Sequence, residues 1–165
     1  MSQEFYLATQ LPDLRWATTP PITVDSFMEE AAKWLSATEL QALRTADLNL
    51  WTQEPDSKLP KFLSDLIGHE RAVREDGASW VAGKSPKTLA IRLLEGNPLE
   101  VEKALLRERW DFLETILGTN YADLEYFMVY KMKIQILDRL SQFDQQKGRV
   151  KFEQLSRLPP EVHYG

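Results

Sequence analysis

Clustered carboxylates in the second half of the chain are the residues whose type and spacing could do chemistry, because paired carboxylates serve acid–base catalysis and bind metal ions. The cluster comprises Glu95, Glu100, Glu102, Glu108, Asp111 and Glu114. These acids alternate with Lys103, Arg107 and Arg109, which is typical of a solvated helix surface where opposite charges pair. The alternation favours a non-catalytic surface. A small enzyme with an acidic helical site is the last of the alternatives kept open.

Other motifs for chemistry are incomplete. His69 precedes Glu70, but no second histidine follows one turn later as in helical zinc proteases, and His163 lies far along the chain. Gly83 and Ser85 flank a lysine without the upstream glycine that a phosphate-binding loop needs. The chain has no cysteine. We therefore predict no catalytic residue, no metal site, no cofactor and no small-molecule substrate.

Four residues are predicted to bind a protein partner: Trp51, Trp80, Arg107 and Lys131. The two tryptophans are predicted on loops, at 49–58 and 77–84, where a large aromatic side chain either folds back onto the core or contacts a partner. The two cations lie in apolar stretches. For both of them, and for Arg109, the alternative is snorkelling, or pairing with Asp123 or Glu125.

Composition narrows the class of protein. With 165 residues, 43% of them hydrophobic, the chain can bury the core of one domain, assigned to residues 1–165 with a frayed tail at 158–165. A net charge of −5 argues against nucleic-acid binding, which needs a surplus of basic residues on one face. No signal peptide or bilayer-length apolar run is recognised, so we predict a cytoplasmic protein without direct membrane insertion.

Helical periodicity predicts an all-α bundle built around a long antiparallel hairpin of two helices, at about 97–117 and 121–146. Asn97, Pro98 and Glu100 form a helix start, and Gly118 is a natural stop. The second helix is predicted to end at the polar run 145–148, with an amphipathic turn or two after it.

The first half of the chain is predicted to hold further helices. Residues 5–8 fit either a short strand or the first turns of a helix. A helix is predicted from Thr23, and the next begins at Ser36, which forms a capping box with Glu39. Another runs from about Pro60 and stops at 75–77, and a shorter one spans about 85–94.

Two stretches of the sequence resemble one known family. The first is Phe5 to Leu14, which reads FYLATQLPDL, followed by Pro-Pro-Ile at 20–22 and the helix with Phe27. The second comprises NPLEVEKAL at 97–105, Arg109–Trp110, DLE at 123–125, ILDR at 136–139, Lys147–Gly148 and Phe152. Both are similar to an uncharacterised bacterial family encoded in V-type (V/A-type) ATPase operons. The likeness is weakest at 51–84.

This resemblance implies a protein that works with a rotary V/A-type ATPase, in the place of its C-type stalk component (the d-type component in eukaryotes), an all-helical socket between the central stalk and the membrane ring. The chain is much shorter than a typical component of that type. The expected partners are stalk or ring subunits, and the expected location is peripheral to the inner membrane through that complex. A helical adaptor or assembly factor that is not retained in the complex is the alternative.

Overall fold

The computed structural model describes residues 2–49, 60–81, 98–119 and 122–156, and within these ranges it contains helices and no strand. In chain order the helices are α1 (Gln3–Gln10), α2 (Val24–Ala32), α3 (Ala37–Thr45), α4 (Lys61–Val81), α5 (Pro98–Leu117) and α6 (Leu124–Ser156). The all-α prediction is confirmed. The short helix predicted at 85–94 and the tail at 158–165 lie outside the described residues.

The chain begins with a helix, so the short strand considered at 5–8 is wrong. The Ser2 side chain accepts a hydrogen bond from the Phe5 amide and caps α1, which satisfies an amide that would otherwise lack a partner. Leu7 is fully buried, whereas Phe5 and Tyr6 are each 43% exposed. A helix that buries only one stripe explains this arrangement.

The starts of α2 and α3 follow the predicted caps. Thr23 accepts from the Ser26 amide at the start of α2. Ser36 accepts from the Glu39 amide while the Glu39 carboxylate accepts from the Ser36 amide, which completes the capping box. Both signals are local in the sequence, and the structure confirms both.

Two helices run further than their predicted ends. Helix α4 continues through Gly77 to Val81, so the predicted stop at 75–77 is wrong, and α6 continues through Gly148 to Ser156 rather than ending at 145–148. One glycine inside a helix costs only about 1 kcal/mol relative to alanine. Proline stops a helix far more strongly, and the sequence after Gly148 contains none until Pro159.

The turn between α5 and α6 starts at a glycine. Gly118 has φ +56°, in the left-handed region that glycine adopts without strain, and its amide bonds the Glu114 carbonyl at 3.2 Å. Asp123 then caps α6 through its side chain, which accepts from the Tyr126 amide at 2.9 Å.

Cross-helix ion pairs join α5 to α6. Lys103 Nζ lies 3.3 Å from Asp144 Oδ1, and Lys133 Nζ lies 3.2 Å from Glu114 Oε1. The earlier residue of α5 therefore pairs with the later residue of α6.

The hydrophobic core takes side chains from every described helix. Its fully or almost fully buried members include Leu7, Phe27, Ala31, Leu43, Leu63, Ile67, Leu106, Leu113, Phe127, Ile134 and Leu137. Burying a leucine, isoleucine or phenylalanine side chain stabilises a fold by about 1.5–3 kcal/mol. None of the described helices combines the length and apolarity needed to cross a bilayer.

Candidate partner-binding site

The two predicted partner-binding tryptophans fall outside or at the edge of the described residues. Trp51 lies outside them. Trp80 belongs to the last turn of α4 rather than to a loop, and only its backbone is described. Their proposed contact with a partner stays a prediction.

Arg107 lies at the surface of α5 with internal contacts on its guanidinium. Its Nε is 3.3 Å from Asp111 Oδ1, one helical turn further on, and its Cζ lies 4.8 Å from the centre of the Trp16 ring. The side chain remains 47% exposed. Arg107 can therefore face a partner while Trp16 and Asp111 hold it in place.

Lys131 points into the protein. It is 5% exposed, and its ammonium donates to the carbonyls of Leu43 at 3.1 Å and Arg44 at 3.3 Å. These carbonyls belong to the last turn of α3, where a helix has unpaired acceptors and partial negative charge. Burial lowers the pKa of Lys131, and the Asp47 carboxylate opposes that shift. This position suits an internal link between α6 and α3 rather than a surface contact.

A buried ion pair connects α4 and α5. Arg109 donates through Nε and Nη2 to the two carboxylate oxygens of Glu70, and the Nη2 contact is 3.2 Å long. Both side chains are under one tenth exposed. Beside the pair, the His69 ring stacks on Phe112 with centroids 3.8 Å apart. Arg107, Arg109 and Lys131 thus contact Asp111, Glu70 and the end of α3, respectively, and the alternative pairing with Asp123 or Glu125 is not seen at these three residues.

A surface on α1 and the turn that follows α2, which we call the aromatic face, consists of Phe5, Tyr6 and Trp34. The Tyr6 ring stacks on Trp34 with centroids 5.7 Å apart and planes 19° apart, and Phe5 meets Tyr6 edge-on at 6.5 Å. Trp34 is half-buried and packs against the core. Phe5 and Tyr6 are two of the large hydrophobic side chains exposed in the described part of the chain. Aromatic rings exposed together in this way are typical of protein-binding surfaces.

The Glu30 carboxylate borders the aromatic face. The pKa of Glu30 is lowered chiefly by its hydrogen bond from Lys33, at 2.7 Å. The Trp34 indole N–H also lies near the Glu30 carboxylate and favours its charged form, without a hydrogen bond of normal geometry. The carboxylate beside the Trp34 ring is therefore already paired with a lysine.

Sequence reasoning did not select the aromatic face, although one signal was present. Phe5, Tyr6 and Leu7 are consecutive, and successive residues of a helix point in directions about 100° apart. Three consecutive large apolar residues cannot all face the core of one short helix. Recognising the segment as a helix would have predicted exposed aromatic rings.

A cleft of about 210 Å³ lies between the segment after α1 and the first turns of α6, lined in part by Asp13, Tyr126, Tyr130 and Lys133. The Tyr130 hydroxyl donates to the Pro12 carbonyl at 2.5 Å. Burial raises the pKa of Tyr130, with further contributions from Tyr126 and Asp13. Lys133 is paired with Glu114, so Tyr130 and Lys133 are both engaged within the chain.

No group of three His, Cys, Asp or Glu side chains that could hold a metal ion occurs in the described ranges. Several acids of the predicted cluster form ion pairs instead. Glu102, Asp111 and Glu114 each pair with a basic side chain, Arg139, Arg107 and Lys133 respectively. Glu95 lies outside the described residues.

Comparison with known proteins returned no match to a protein-family model, to a curated protein or to a solved structure.

Proposed function

We propose that this chain is a non-catalytic subunit or accessory protein of a V/A-type rotary ATPase. The ATPase is proposed as the complex because residues 5–27 and 97–152 resemble the family encoded in V-type ATPase operons. The observation that carries the binding role is the aromatic face, since exposed rings such as those of Phe5 and Tyr6, the latter stacked on Trp34, are typical of a surface that binds another protein. The proposed partners are stalk or ring subunits.

The proposed role of the helical body is to hold that surface rigidly. We propose that α5 and α6 form the long hairpin on which the bundle is built. This is supported by two ion pairs between the helices, Lys103–Asp144 and Glu114–Lys133, and by the core side chains that both helices contribute. Packed helices resist bending, so the pair would form a stiff support. A rigid body of this kind can organise or couple stalk and ring by contact alone, on the cytoplasmic side of the membrane.

Affinity purification of the chain from its own cells at near-physiological salt, with identification of the accompanying proteins, tests this proposal. We expect ATPase stalk or ring subunits in a fixed ratio to the chain. Recovery with only part-assembled ATPase would make it an assembly factor instead. Recovery alone or with unrelated proteins would remove the ATPase role, and an adaptor function elsewhere would take its place.

A further inference from the structure

We draw no further inference here: the strongest candidate, the aromatic face of Phe5, Tyr6 and Trp34 on α1 and the turn after α2, carries nothing beyond the proposed function, because nothing in the described part of the structure shows what covers it and the Glu30 carboxylate beside it is already paired with Lys33.

Discussion

Arg109 on α5 and Glu70 on α4 form a buried ion pair in which both carboxylate oxygens accept from one guanidinium. The side chains are 8% and 7% exposed, and the residues are 39 positions apart in the sequence. Such a pair contributes little net stability when compared with apolar residues of similar size, but each charge depends strongly on the other. It joins α4 to α5 in the protein interior.

Removing one member of this pair should be costly. We expect Glu70→Leu to lower the free energy of unfolding by about 3–5 kcal/mol, because Arg109 is left buried without its counter-charge. Chemical denaturation measures this. The double variant with Arg109→Met should recover most of the loss. Glu102→Gln is the control, since Glu102 and Arg139 form an exposed pair that is worth about 1 kcal/mol or less. Equal loss in the single and double Glu70 variants would show that the charges are not coupled.

Lys131 should affect stability more than association. We expect Lys131→Met to lower the free energy of unfolding by about 1–3 kcal/mol, because the carbonyls of Leu43 and Arg44 lose their buried donor. Lys61→Met, at an exposed lysine in the first turn of α4, should change little. Unchanged stability together with reduced recovery of partners would instead place Lys131 in the partner contact.

Tyr130 predicts a dependence of stability on alkaline pH. Its pKa is raised by burial, so its neutral form is favoured in the folded chain, and the stability it contributes is fully present below about pH 10, its unfolded value. Above that pH the unfolded chain loses the tyrosine proton first, and the contribution falls. We expect Tyr130→Phe to be less stable than the unaltered chain at neutral pH, by about 1 kcal/mol for the lost bond to Pro12, and the difference to shrink above pH 10. Denaturation at several pH values measures this, and a constant difference would contradict it.

The tryptophans predicted from the sequence remain testable. We expect Trp51→Ala or Trp80→Ala to weaken association with the ATPase while leaving the melting temperature nearly unchanged. Thermal melts and co-purification of each variant measure both effects. Trp110→Ala is the contrasting variant, because Trp110 is 3% exposed and should cost about 3–5 kcal/mol of stability. A large fall in melting temperature for Trp51→Ala or Trp80→Ala would place that side chain in the core.

Local sequence signals predicted most helix starts, but they did not predict where α4 and α6 end. Ser36 with Glu39, and Thr23, lie within one turn of the amides they bond, so the sequence alone reveals these caps. Gly77 and Gly148 were weak stop signals, because the cost of one glycine inside a helix is small.

The contacts of the candidate site depended on tertiary packing and were not predictable from spacing. Lys131 bonds carbonyls 87 and 88 positions earlier, and the stack of Tyr6 on Trp34 joins α1 to the turn after α2, whose relative placement no local pattern encodes. The identity of an exposed ring follows from which stripe of a helix is buried. That stripe is fixed only when the neighbouring helices are in place.

The proposal that the chain stays bound to a V/A-type ATPase is tested most directly by sedimentation of gently solubilised membranes from cells that make the tagged chain. We predict that the chain co-migrates with the assembled ATPase in a fixed ratio across the peak, and that Phe5→Ala with Tyr6→Ala shifts it to the slowly sedimenting fractions. The proposal would be contradicted if the chain were found only in the slow fractions while the ATPase was assembled and intact elsewhere in the gradient.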